Sequence, residues 1–352
     1  MCLYTVYRPN KAFQANKKNG GIIPHCDNEK KRLVPISCGN CIECRKKKAR
    51  EWKIRLIEYI KENKGGNFIT LTFNTTEYEK LRKDILKKEI YENEYKLDND
   101  ICAKAIRRFT DLYRKTENEP LKHFLITEIG GKNYENIHIH GIIWAKKDAL
   151  KHWKFGYTWN SNKKGGSVGE KTINYITKYI FKIDPKHKGF KPKIFASKGI
   201  GANYKNKINN FDGINTDQTY TLKSGKKIAL PHYMRMKTYS EEERQALWNY
   251  RLNENIMYLA GKKFNMNNPK EVEEFEKAKE ERRLYSIKHG FGNGKNEMSI
   301  DENRQRYLKK GEQIEKNKNK KKKEYTYTLS RKEIKPTTEK KPEILGKIED
   351  AF

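Results

Sequence analysis

The chain has 352 residues, enough to bury one sizeable core, and its composition fits one folded domain of about 200 to 250 residues with less orderly ends. Its 77 Lys and Arg against 45 Asp and Glu leave a formal charge of +32, beyond what solubility needs and beyond what a low-GC codon bias toward Lys accounts for, so a polyanion is the expected partner. No run approaches the roughly 18 apolar residues of a membrane span, and the opening MCLYTVYRPNKAF lacks a basic-then-apolar signal, which argues against a membrane partner and for a cytoplasmic setting.

Residues 1–44 read as irregular and hold five of the six cysteines, Cys2, Cys26, Cys38, Cys41 and Cys44. That density suits a local metal site in a reducing compartment better than a disulfide framework. Cys102 stands apart and reads as a buried thiol. A helix is expected from Arg45 to about Asn63, with Ala49, Trp52, Leu56 and Ile60 at helical spacing. Asn67 to Asn74, NFITLTFN, follows a Gly-Gly pair and reads as a central strand. Two helices are expected over Glu77–Tyr95 and Ile101–Lys115, the second presenting Ile106, Phe109 and Tyr113. HFLITEI and NIHIHGIIWA then read as strands joined through GGKNYEN, a hairpin connection. After the Gly-rich KKGGSVG a helix should run from near Lys171 to before Pro185, and the chain turns irregular through FASKGIGANY, where the core should close. Residues 240–288 look helical and highly charged, and the Lys run Glu315–Glu324 lies in a tail beyond Met298 expected to be largely disordered. These features divide the chain into 1–63, a Cys-rich segment with a basic helix; 64–240, the chemical core; 241–297, a charged helical region; and 298–352, the tail.

His138 and His140 are two apart in an alternating run, so a strand puts both imidazoles on one face. With a loop over Gly130–Asn136, the register sets Glu128 opposite His138 on that face. Two imidazoles and a carboxylate suit Mg²⁺, Mn²⁺ or Zn²⁺ with positions left open for phosphate oxygens. A surface strand with solvated histidines would show the same H-x-H, and a one-residue slip would send Glu128 to the other side. In the following helix, Ile173, Ile176 and Ile180 form a core stripe, while Lys171, Tyr175, Lys178, Tyr179 and Lys182 gather opposite it. Lysines beside a phenol favour its phenolate and neutralise the charge that builds up when it attacks a phosphodiester, so Tyr175 and Tyr179 are candidate nucleophiles with Lys178 and Lys182 in support. Cys38-x₂-Cys41-x₂-Cys44 is a dense thiolate array whose fourth member would be Cys2 or Cys26. Structural Zn²⁺ is the preferred occupant; an iron–sulfur cluster or metal-free thiols would share the spacing.

In order along the chain, ITLTF, H-I-H and Y-I-T-K-Y-I-F-K resemble the three motifs of HUH endonucleases with paired tyrosines. The chain is similar in particular to the replication initiators of gokushovirus-like microviruses: it shares the opening MCLY, the block Cys38-Gly-Asn-Cys41-Ile-Glu-Cys44-Arg with the Trp-bearing helix after it, GIGANY near 200 and LPHY at Leu230 to Tyr233. The resemblance spans about residues 1–240. It implies an α+β fold, a mainly antiparallel sheet with helices packed on it, carrying a Cys-rich N-terminal segment and a basic C-terminal tail. It also implies Mg²⁺- or Mn²⁺-dependent nicking of single-stranded DNA at a viral origin in a bacterial host's cytoplasm, with rejoining of ends and rolling-circle synthesis by the host helicase and polymerase. Under it His138 and His140 are metal ligands, Glu128 the third, and Tyr175 and Tyr179 nucleophiles. Asn136 and Ile137 before the first His depart from the family's usual Arg or Pro. A plasmid relaxase or transposase of the same superfamily would carry an appended helicase or recombination module, which is not visible. A non-catalytic basic DNA-binding or packaging protein would leave the ordered His and Tyr pairs unexplained.

Overall fold

A computed structural model describes residues 1–26, 29–63, 65–91, 93–130, 136–145, 148–161, 168–182, 184, 186–187, 190–202, 204, 218–225 and 227–291. The chain divides into two units, Met1–Glu297 and Met298–Phe352. The second unit, and with it the expected basic tail and the Lys run Glu315–Glu324, lies outside the described residues.

In chain order the first unit holds β1 (Val6–Pro9), β2 (Leu33–Ile36), α1 (Ile42–Glu62), β3 (Asn67–Leu71), α2 (Thr75–Leu86), α3 (Glu94–Glu117), β4 (Lys122–Ile129), β5 (Ile137–Trp144), β6 (Thr158–Asn160), α4 (Glu170–Lys178), β7 (Ile194–Ala196), β8 (Thr219–Thr221), β9 (Lys227–Ala229), α5 (His232–Thr238), α6 (Glu241–Glu254), β10 (Ile256–Leu259), β11 (Lys262–Asn265) and α7 (Pro269–Lys288). The fold is α+β. Its centre is a five-stranded antiparallel sheet in the order β6-β3-β5-β4-β7.

Period-two alternation sorts the central strands onto two faces. Ile69 and Leu71 of β3, Leu125 and Ile129 of β4, and Ile137, Ile139 and Ile143 of β5 pack against Leu81 of α2 and against Leu97, Ile101, Ala105 and Phe109 of α3. Phe124, Ile126 and Ile142 face the other way, onto Ala49, Leu56 and Ile57 of α1 and Ile173 and Ile176 of α4. Cys102 is fully buried in the first layer, as expected of an isolated thiol. At Gly141 a Cβ would come within 2.3 Å of the Phe124 carbonyl oxygen and 2.4 Å of a Leu125 methyl, so only glycine lets β4 and β5 approach this closely.

Several sequence expectations shift. Residues 1–44 are not wholly irregular: β1 and β2 pair antiparallel, Val6 opposite Ile36. The first helix begins at Ile42, three residues before Arg45, with Cys41 as its N-cap. The strand expected to reach Asn74 stops at Leu71, because the Asn74 side chain accepts from Glu77 N and caps α2. Asn93 likewise caps α3, so Tyr95 belongs to that helix and not to the one before it. The helix expected up to Pro185 is regular only to Lys178, followed by i→i+3 bonds such as Ile180 N to Thr177 O. The segment through FASKGIGANY contains the edge strand β7, and the charged region 241–297 contains the β10–β11 hairpin besides its helices.

Candidate active site

The β4–β5 hairpin decides the geometry. Glu128 pairs with His138 and Ile129 with Ile137, and Gly130 N donates to Asn136 O at 3.1 Å at the mouth of the loop. This is the register the alternation implies. It places the Glu128 carboxylate 2.9 Å from His140 Nε2 and 3.5 Å from His138 Nε2. The three side chains lie on the α1/α4 face and form a group able to hold a metal ion.

The remaining contacts test that fit. His138 Nδ1 lies 3.2 Å from the Asn136 carbonyl oxygen, which can only accept, so the proton sits on Nδ1. A neutral ring then aims the lone pair of Nε2 at the carboxylate, an arrangement that a cation between them satisfies. His140 Nδ1 is 2.9 Å from the Thr70 hydroxyl, the outer-shell support that fixes ring orientation at metal sites. Burial works against the Glu128 carboxylate, but hydrogen bonds from His138, His140 and Lys182 outweigh it and hold its pKa well below the usual carboxylate range. The site is therefore anionic before any cation arrives.

The tyrosines meet this group from α4. Tyr175 and Tyr179 share a hydrogen bond of 2.5 Å between their hydroxyls. The Tyr179 ring lies parallel to His140 with centroids 5.1 Å apart, and Lys182 Nζ lies 5.4 Å from the Tyr179 centroid. The two phenols do not share one exposed face, as the helical projection suggested: Tyr175 is 49 % exposed and Tyr179 8 %. At about 100° per residue Tyr179 stands only about 60° round from Ile176, and it sits past the last α-helical residue, so its ring packs with the isoleucine stripe. Nor do the lysines lower its pKa. Burial, the Tyr175 hydroxyl and the Glu128 charge push the Tyr179 phenol up. Lys182 is engaged with Glu128 instead, and Lys178 closes the last α-helical turn.

Four thiols meet elsewhere. Cys2, Cys38, Cys41 and Cys44 place their sulfurs within 4.8 Å of one another, and Cys26 is not in the group, which settles the choice of a fourth member. Cys2 to Cys41 is 4.0 Å and Cys38 to Cys44 3.9 Å, close to the ~3.8 Å edge of a tetrahedron with Zn–S bonds of about 2.3 Å and far beyond a disulfide bond. Leu3 N, Cys38 N and Cys41 N donate to the sulfurs of Cys41, Cys2 and Cys38. Cys38 is driven toward the thiolate by hydrogen bonds from Cys2, Cys41 and Cys44, whereas Cys41 and Cys44 are pushed up by theirs. Four thiolates this close need a cation, so the donor set fits a metal.

Some site residues gave little sequence signal. Thr70, Phe68 and Trp159 lie on the same sheet face as the histidines; in β3 the alternation of ITLTF carried the hint, while β6 is too short to show a period. Asp184 and His187 pair at 2.8 Å and line a cleft that also reaches Glu128, Tyr179 and Lys182.

No curated protein and no solved structure matches the chain. Residues 66–184 match the model of a family described as Replication-associated protein, of the ORF2 type. That segment runs from the start of β3 through the histidine hairpin to both tyrosines, and over it the chain is replication-initiator-like.

Proposed function

We propose that the protein is a viral rolling-circle replication initiator that nicks single-stranded DNA at an origin through a tyrosine and later rejoins the ends. One observation carries this reading: Glu128, His138 and His140 converge on a sheet face where the hydroxyl-paired Tyr175 and Tyr179 stack against them. Tyr175, the exposed phenol, attacks the phosphorus first. A Tyr–O–P bond forms, the P–O3′ bond breaks, and the leaving oxygen takes a proton to become a 3′-OH that a host polymerase extends behind a host helicase. Tyr179, one helical turn on, attacks in the second transfer. Lys178 and Lys182 stand on the same helix and its continuation, placed to neutralise phosphate charge. Mg²⁺ or Mn²⁺ held by Glu128, His138 and His140 would polarise a phosphate oxygen as a Lewis acid. Zn²⁺ is the preferred occupant of the four-cysteine site, in a purely structural role.

The test is covalent capture. With Mn²⁺ or Mg²⁺, the protein should become attached to a single-stranded origin oligonucleotide through a 5′-phosphotyrosine, mapped by peptide mass to Tyr175. Cleavage with no protein–DNA adduct would refute the tyrosine mechanism.

A further inference from the structure

Tyr157 is 78 % exposed and Trp159 49 %, two large rings two residues apart on or beside β6, an edge strand of the sheet. An exposed aromatic edge invites unwanted strand pairing and association, and in a chain with 77 Lys and Arg it is an unusual choice of surface. Its position is more telling. Trp159 pairs with Thr70, and Thr70 pairs with His140. The three therefore form one row across the sheet and point to the same face, with Trp159 rooted two strands, about 10 Å, from His140. Phe68 bridges the gap: its ring centroid is 6.0 Å from Trp159, 5.8 Å from Tyr175 and 6.0 Å from His140. A continuous aromatic row thus leads from the open sheet edge to the exposed phenol. Tyr157 extends it, held by hydrogen bonds in both directions with Thr72, Tyr157 N donating to the hydroxyl and Thr72 N to Tyr157 O.

We infer that Trp159 and Tyr157 are a stacking platform for unpaired bases of the DNA strand whose phosphate lies at the histidine–tyrosine site, an inference that rests on the function proposed above. The chemistry fits on both sides. A single strand offers π-faces at regular intervals and a phosphate backbone that the cationic chain attracts, and aromatic stacking accepts any base. The platform fixes which phosphate reaches Tyr175, because a base seated on Trp159 holds the strand in register along the aromatic row. Its position on an edge leaves the strand free to run off the sheet.

The experiment is a cycle between protein and DNA. Equilibrium binding of a single-stranded origin oligonucleotide, and of a series carrying one abasic nucleotide at successive positions, is measured for wild type, Trp159→Ala and Trp159→Phe at fixed salt. We expect Trp159→Ala to weaken binding about tenfold, ~1.4 kcal/mol and within the range of one base–aromatic stack. Trp159→Phe should recover most of that loss. One abasic position should cost the wild type about the same factor and cost Trp159→Ala less than twofold. The salt dependence should be unchanged, since phosphate contacts are untouched. Equal losses for wild type and Trp159→Ala at every abasic position would overturn the platform, as would wild-type affinity in Trp159→Ala. Because the readout is binding, this outcome is separate from a failure of the tyrosine mechanism, which shows as a missing adduct in the wild type.

Discussion

His140 is fixed from three directions: Glu128 at Nε2, the Thr70 hydroxyl at Nδ1, and rings of Phe68 and Tyr179 lying parallel to its own. Such support sets how tightly an ion is held as well as whether the ligands meet. Thr70→Val keeps a β-branched residue in the strand but removes the Nδ1 partner. The Mn²⁺ concentration giving half-maximal cleavage should rise about 10- to 100-fold, and an unchanged metal titration would remove Thr70 from the site. The tyrosines invite a similar dissection, since Phe keeps each ring and deletes only the hydroxyl. Tyr175→Phe should form adduct at least about tenfold more slowly, because the remaining phenol is buried and its pKa is raised. Tyr179→Phe should still form adduct but fail to complete joining, and the double variant should form none. Equal adduct rates in the two single variants would show that exposure does not decide which phenol acts first.

The β4–β5 hairpin was legible because its sequence overdetermines it: HFLITEI and IHIHGIIW alternate cleanly and the Gly, Asn and Lys content between them leaves one sensible loop. Edge strands β6 and β7 were not legible, for each has three residues and no period can be read from so few. The α4 face was half legible, since a projection gives angles but not where the helix ends, and the early end brought Tyr179 against the sheet. Gly141→Ala tests how tightly the hairpin is specified. With a backbone oxygen 2.3 Å from the new Cβ, neither strand can yield cheaply, and a loss of about 2–4 kcal/mol is expected from denaturant unfolding; a change below ~0.5 kcal/mol would show that the strands part easily. His123 gives the same sheet a pH dependence. Burial, with a contribution from Lys122, lowers its pKa despite a hydrogen bond to the Leu121 carbonyl. The folded protein therefore keeps it neutral while the unfolded chain takes up a proton below about pH 6.5. The unfolded state then binds more protons, so stability should fall as pH drops from about 7 to 5. In His123→Gln that part of the slope should flatten, and an unaltered slope would assign the acid loss to other groups.

At the scale of the first unit, the surprise is what the cysteines hold. The charged stretch after 240 reads as a solvated helix because α7 buries only Phe275 and Ser286, and its docking uses side-chain hydrogen bonds instead of an apolar stripe. Arg282 pairs with the buried Glu43 at 2.5 Å, Arg283 Nε donates to Leu3 O, and the Ser286 hydroxyl joins Ile42 N to Phe291 O. Leu259, Phe264, Phe275 and Phe291 complete a small core with Cys2, Cys41 and Cys44. Phe291, under the Arg45 guanidinium, also lines the cleft that reaches Glu128 and Tyr179. The four-cysteine site is thus the keystone of a second core, one too small to be stable on apolar burial alone. This predicts a regional response to metal removal. Purified under reducing conditions, the protein should carry about one zinc per chain. Stripping it with a strong chelator and then adding excess Mg²⁺ should refill the oxygen- and imidazole-bearing site but not the thiolates, which Mg²⁺ does not favour. Amide exchange in α7 and the β10–β11 hairpin should then quicken at least about tenfold, since each tenfold step reports ~1.4 kcal/mol of lost local stability, while amides of the β4–β5 hairpin keep their protection. Loss of protection throughout the first unit would make the cysteine site a determinant of the whole fold, and no change anywhere would show that the four thiols need no metal to hold this core.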